Sequence, residues 1–227
     1  MGLARRYGLP ASTADALEAL LGALSREVDP PTTLRSPEEA LNGHIADSLS
    51  GLAVSDLAAA GRIADVGAGA GFPGLALAAA LPDAQVDLIE SSARKAAVID
   101  RLATAADLEN AWAVRARAEE WARGDGAGAY DAVTARALGP LAVLAEYAAP
   151  LLRRGGTLVA WKGSRDSAEE AAGLVAAERL GLRLEKVLQS TPFEGSRERH
   201  LHLYVKVGPT PPEFPRRVGM ARKRPLA

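Results

Sequence analysis

The spacing of apolar residues changes character near Gly61. Ahead of it the chain is rich in Ala and Leu, and Leu17, Leu20, Leu21 and Leu24 recur at the period of an amphipathic helix. Pro30-Pro31 predicts that helix's end, because a proline ring cannot continue the hydrogen-bond ladder. Ser36-Pro37-Glu38-Glu39 reads as a capping box with Pro at the first helical position. Leu41, Ile45, Leu49 and Leu52 then predict one apolar face of a second helix.

Beyond Gly61, short β-type runs alternate with Ala-rich helical segments. Strands are predicted over Arg62 to Val66, Gln85 to Glu90, Ala111 to Arg115, Asp131 to Ala135 and Thr157 to Trp161. Helices are predicted over about Pro73 to Ala80, Ser92 to Ala105, Gly139 to Leu151 and Ser167 to Leu180. Such alternation builds a parallel sheet covered on both faces. Leu182 to Leu188 and His200 to Val207, joined by turn-rich Thr191 to Ser196, add an antiparallel pair at the far edge. The expected class is α/β, a Rossmann-like, seven-stranded, mostly parallel sheet. The expected organisation is a helical cap at 1–60, a main domain at 61–208 and a tail at 209–227.

Composition narrows the chemistry. None of the 227 residues is cysteine, which excludes a disulfide scaffold, thiolate zinc sites, iron-sulfur clusters and cysteine nucleophiles. No run of about 18 apolar residues is free of charge, and the N-terminus lacks a signal-peptide core. A soluble, cytoplasmic protein with no membrane role is therefore expected; a monomer and no metal are expected as well, though composition does not fix the oligomeric state. The net charge of −1 hides an asymmetry, since the last 19 residues hold five basic side chains against one acidic. Arg216, Arg217, Arg222, Lys223 and Arg224 lie among Pro and Gly in a stretch too interrupted to predict a helix. Such a segment can track a phosphate backbone, or simply be a solvated end.

The segment Asp65-Val66-Gly67-Ala68-Gly69-Ala70-Gly71-Phe72-Pro73-Gly74 directly follows the first predicted strand and opens a helix. Gly67, Gly69 and Gly71 allow a tight turn and close approach of backbone to ligand. Residues 69–74 also fit the dinucleotide pattern G-x-G-x-x-G, which alone is a weak signal. An ionised Asp65 would repel a diphosphate, whereas S-adenosylmethionine carries an ammonium and a sulfonium that a carboxylate can balance. Glu90, 25 residues on, ends the second predicted strand where an acid can take ribose hydroxyls. After the third, Glu119 and Glu120 can meet an adenine or merely start a solvated helix.

This layout resembles class I S-adenosylmethionine-dependent methyltransferases. His44-Ile45-Ala46-Asp47-Ser48, the glycine loop, Arg117-Ala118-Glu119-Glu120, Ala135-Arg136-Ala137, Trp161-Lys162-Gly163 and Pro215-Arg216-Arg217-Val218-Gly219 together make a narrower match. They resemble the glucose-inhibited division protein B family, the bacterial ribosomal RNA small-subunit methyltransferases G, from about residue 32 to the C-terminus. That resemblance implies a substrate, N7 of a guanine in the decoding-region loop of 16S ribosomal RNA, met as RNA or in the small ribosomal subunit. It implies cofactor contacts at Gly67, Phe72, Ala118, Glu119 and Arg136, with Asp65, Gly69 and Glu90 alongside, and S-adenosylhomocysteine as product. There are departures. Pro30-Pro31-Thr32 stands where the family usually has Asn-Leu-Thr, and Arg94-Lys95 replaces a Lys-Arg pair expected to meet RNA.

Guanine N7 has an in-plane lone pair and no proton, so its methylation needs no general base. His44, His200 and His202 are accordingly expected to pack or to touch RNA. The Asp/Asn-Pro-Pro-aromatic loop common in amino-group methylases is absent, its place being taken by Thr134 to Pro140. Arg136 and Lys162, at carboxyl ends of predicted strands, are expected to place cofactor and nucleotide. A methyltransferase acting on a small molecule or protein, a nicotinamide oxidoreductase and a non-catalytic RNA-binding module remain rivals.

Overall fold

The computed structural model describes residues 2–34 and 36–227. Seven strands, β1 (Arg62–Val66), β2 (Gln85–Ile89), β3 (Ala111–Val114), β4 (Tyr130–Arg136), β5 (Leu152–Lys162), β6 (Leu182–Ser190) and β7 (Arg199–Lys206), form one sheet. Its order is β3-β2-β1-β4-β5-β7-β6, with only β7 antiparallel to its neighbours. The chain crosses from one half of the sheet to the other between β1 and β4. The connections leaving their carboxyl ends run to opposite sides, to β2 and to β5, and such a point is where open α/β sheets take ligands.

β1 and β2 are buried along all but their first residue, as a strand covered on both faces requires. One of the two carboxylates inside, Asp87, is matched by polar partners. Its carboxylate accepts from Tyr130 Oη at 2.7 Å and Arg62 Nη2 at 3.1 Å. β5 begins earlier than its apolar run predicts, because Leu152 pairs with Tyr130 before a register shift admits the exposed Arg153–Gly155.

One face is covered by α1 (Gly2–Arg6), α2 (Ala11–Arg26), α6 (Gly74–Ala80) and α7 (Ala93–Ala105), with the shorter α3 (Pro37–Ala40), α4 (Asp47–Leu49) and α5 (Ser55–Ala58) between them. The other carries α8 (Ala118–Trp121), α9 (Leu141–Ala148), α10 (Ser167–Arg179) and α11 (Met220–Lys223). The N-terminal residues are not set apart, since Leu17, Leu20, Leu24, Ile45 and Leu49 share one apolar cluster with Leu75, Leu77, Val98 and Ile99.

Two expectations are corrected. The second helix is capped as predicted, with Ser36 Oγ accepting from Glu39 N and Glu39 returning the bond, yet it is not regular. Residues Leu41–Ala46 form a π-turn between α3 and α4. The wider turn breaks the leucine face, leaving Leu41 42% exposed while His44, Asp47 and Ser48 are buried. The tail is the second correction. It contains a helical turn, α11, which packs on α9, because Phe214 and Ala221 are buried in the apolar cluster of that face and supply the tertiary contacts that propensity lacks.

Candidate active site

A cavity of about 530 Å³ opens at the carboxyl ends of β1, β2 and β4. The glycine loop forms its floor. Gly67 and Gly69 have φ of 69° and 60°, and a Cβ on Gly69 would meet nothing nearer than 3.8 Å, so a ligand can approach the bare backbone. On Gly67 a Cβ would collide with Leu138.

Glu90 stands in the wall, 7% exposed. Gly69 N donates to its Oε2 at 3.1 Å and Ser92 N to its Oε1 at 2.8 Å, so backbone amides fix the carboxylate while lone pairs remain for a ligand's hydroxyls. Ala118 and Glu119, opening α8, line the cavity with Phe72 and Arg136. Glu119 Oε1 accepts from Gly219 N at 2.8 Å. Arg222 donates to Leu138 O at 2.9 Å, and both Gly219 and Arg222 reach the cavity wall. The tail thus completes the pocket, which sequence reasoning missed; a signal lay in the apolar residues Phe214 and Ala221 within a polar stretch.

Asp65 lies beneath the glycine loop and not in the cavity wall. It is 1% exposed, does not line the cavity, and accepts from Gly74 N at 2.9 Å and from Thr134 Oγ1 at 2.9 Å. Burial pushes its pKa up to about 6 in spite of those bonds. Each oxygen accepts one bond beneath the loop, so Asp65 anchors the first turn of α6.

A second cavity, of about 660 Å³, shares Pro31, His44, Arg136 and Ala137 with the first. Arg136 Nη1 donates to Gly43 O at 2.6 Å and to Asp47 Oδ2 at 2.9 Å, tying the π-turn to β4. Lys162 pairs with Glu169 Oε1 at 2.6 Å and donates to Gly139 O at 3.2 Å, while still lining the second cavity. His44 stacks on Phe72 with centroids 4.6 Å apart. Burial and the charge of Arg136 lower its pKa to about 4, keeping the ring neutral at physiological pH. His44 and Asp47 were visible in the sequence only as motif positions; the π-turn that turns both inward was not.

The remaining predicted residues divide. Lys95 lines the first cavity, and Arg217, Lys223 and Arg224 are exposed. Arg94 pairs with Asp29 at 2.7 Å on the surface. Arg216 turns inward, its guanidinium gripping both oxygens of Glu146, 1% exposed, at 2.8 and 2.5 Å. His200 meets Gly163 O at 2.8 Å and His202 meets Glu170 Oε1 at 3.1 Å, so both serve packing.

Fold and glycine-loop cavity define a class I S-adenosylmethionine-dependent methyltransferase. The chain superimposes on a SAM-dependent O-methyltransferase of Thermotoga maritima with a TM-score of 0.59 at 17% identity, covering 85% of this chain and 72% of that one. It also matches Aeropyrum pernix fibrillarin with natively bound S-adenosylmethionine, TM-score 0.54 at 18% identity over 70% of this chain and 73% of that one. The GidB family model, rRNA small subunit methyltransferase G, matches residues 31–202. Ribosomal RNA small subunit methyltransferase G of Rubrobacter xylanophilus is 44% identical over 85% of this chain and 75% of its own, and that of Symbiobacterium thermophilum 39% identical over 86% and 82%. The chain belongs to this family.

Proposed function

We propose that the protein transfers the methyl group of S-adenosylmethionine to N7 of a guanine in the decoding-region loop of 16S ribosomal RNA, acting as a cytoplasmic monomer without a metal. The junction of the two cavities at His44 and Arg136 carries this reading, because it puts room for a methyl acceptor directly beside room for an adenosyl ligand.

The residues suit that ligand. Glu90, fixed by two amides, presents acceptors to a ribose, and the bare flank of Gly69 admits close contact. When bound, S-adenosylmethionine supplies an electrophilic methyl group on a positively charged sulfur. The protein's task is then to align that group with a lone pair, and positioning of this kind is worth about 7–11 kcal/mol. A ring nitrogen without a proton needs neither base nor Lewis acid. His44, with its pKa near 4, is correspondingly a poor proton acceptor.

The acceptor base must leave its stack to reach the inner cavity, which favours a looped RNA. Lys95 at the rim, with Arg217, Lys223 and Arg224 on the surface, supports phosphate contact. Arg94 can add to them, since an exposed pair such as Arg94–Asp29 is worth about 1 kcal/mol at most.

The test is to incubate the protein with methyl-labelled S-adenosylmethionine and small subunits lacking the modification, then to map the label by N7-specific strand cleavage. Label at one guanine is the expected result. Label on a protein or small molecule, or none on RNA, would overturn the reading.

A further inference from the structure

We infer that the second cavity reads guanine by its Watson–Crick edge, with Asp47 Oδ1 accepting from N1–H and the 2-amino group while His44 Nδ1 donates to O6. This rests on the RNA-methylation reading above and assigns the residues that select the base.

Hydrogen bonding in the cavity wall is incomplete. Among the described residues, four buried side-chain polar atoms lack a hydrogen-bond partner: His44 Nδ1, Asp47 Oδ1, Arg62 Nε and His202 Nδ1. Unsatisfied buried groups are few in native proteins and each calls for an explanation. Two of these four belong to residues of one cavity wall, and those residues are only 6% and 8% exposed. Both come from the capped helical stretch, one from its π-turn and one just after it, a local geometry frequent at functional sites.

Their chemistry is complementary. Asp47 Oδ2 is taken by Arg136, so Oδ1 is a spare carboxylate acceptor. Arg199 Nε lies 3.8 Å from it, too far for a hydrogen bond, on a side chain 42% exposed that can swing aside when a base arrives. For His44, Thr32 Oγ1 lies 2.9 Å from Nε2 and already accepts from Leu34 N at 3.1 Å. In the tautomer where the Thr32 hydroxyl donates to Nε2, the ring proton sits on Nδ1. In that tautomer one donor and one acceptor belong to residues of the same wall, each covered until a base displaces the side chains over it.

Their order matches guanine. Along the base the groups run 2-amino, N1–H, O6, N7. Asp47 lines only the second cavity, His44 lines both, and the methyl-donor cavity lies beyond. A base held by Asp47 at N1 and N2 and by His44 at O6 directs N7 towards the donor. Adenine would set an amino donor against the His44 donor and a bare N1 against a carboxylate, so it is rejected twice.

Inosine tests this, because it keeps N1–H, O6 and N7 but lacks the 2-amino group. Small subunits are reconstituted with guanine or inosine at the target position and methylated by the parent protein, Asp47→Asn and His44→Phe. The parent should methylate inosine with kcat/KM about tenfold lower, the value of one hydrogen bond to a charged group. Asp47→Asn keeps an acceptor for Arg136 but offers an amide donor to the base. It should slow guanine methylation and erase the guanine-to-inosine ratio, while the rise in melting temperature on adding S-adenosylmethionine persists. His44→Phe keeps a ring on Phe72 and should slow both substrates alike, leaving the ratio intact. Equal use of inosine and guanine by the parent, or an undiminished ratio in Asp47→Asn, would overturn the inference while methylation of the target guanine stands. No methylation of guanine by the parent would remove the underlying function as well.

Discussion

Glu119 Oε1 accepts a hydrogen bond from the amide of Gly219, 100 residues further along, at 2.8 Å. Glu119 is 3% exposed, so this bond joins the wall of the methyl-donor cavity to the C-terminal segment. Arg123 reinforces the join by donating to Pro215 O at 2.7 Å and Arg216 O at 3.1 Å. Deleting residues 214–227 is therefore expected to lower the melting temperature and weaken S-adenosylmethionine binding, not only RNA methylation. Titration calorimetry checks it; an unchanged cofactor affinity would show that the tail does not close the pocket.

The exposed tail cations separate from that structural role. Arg217→Glu, Lys223→Glu and Arg224→Glu together should leave cofactor affinity intact and flatten the salt dependence of RNA binding. The slope should fall by about 0.7 to 0.9 for each phosphate that these cations no longer neutralise. A filter-binding series across salt concentrations reads it directly.

Arg216→Ala should act on stability instead. It strands the Glu146 carboxylate, 1% exposed, without its bidentate partner. Breaking a buried pair from one side costs about 3–5 kcal/mol; the lower end fits here, because Arg216 remains 24% exposed. Glu146→Gln in the same chain should recover most of the loss, measured by urea denaturation.

Asp65 and His44 pull the pH dependence of stability in opposite directions. The Asp65 pKa rises from 3.8 to about 6 on folding, so the folded state holds the proton more tightly, and this contribution is lost as pH climbs through that window. The His44 pKa falls from 6.5 to about 4, so its contribution is lost as pH drops through an overlapping window. In the parent the two slopes offset each other. Asp65→Asn should unmask the His44 slope, making the protein gain stability steeply from about pH 4 to 6, by on the order of 3 kcal/mol. Denaturation midpoints across that range are the measurement, and a flat profile would refute the assignment.

Glu90→Gln preserves shape but offers one acceptor where two amides donate. It should weaken S-adenosylmethionine binding about tenfold or more, since a hydrogen bond to a charged group is worth about 1.5–3 kcal/mol. Stability should change less than affinity. Thermal shift with and without cofactor distinguishes the two.

Much was legible in order along the chain. The period change at Gly61, the Ser36 capping box and the three glycines of the loop each record a constraint satisfied by near neighbours, and each appears where predicted. The surroundings of Asp65 were not legible for a related reason. Strand position fixes where its Cα lies, but not that Thr134 and Gly74 would occupy both oxygens. The tail was misread because its helical turn depends on burying Phe214 and Ala221 against elements distant in sequence.

What the sequence alone determined is the order of the seven strands with the long helices between them and the location of the ligand loop. These follow from side-chain periodicity and from backbone angles that only certain residues tolerate, while the family is carried by its motifs. The tertiary structure decided which charges are spent and which are free. Arg136 meets Asp47 across 89 positions and Arg216 meets Glu146 across 70, so these partners are chosen by the crossing of chain segments. The unpaired atoms of His44 and Asp47 are what that pairing leaves over, and they can be recognised only once every other partner is in place.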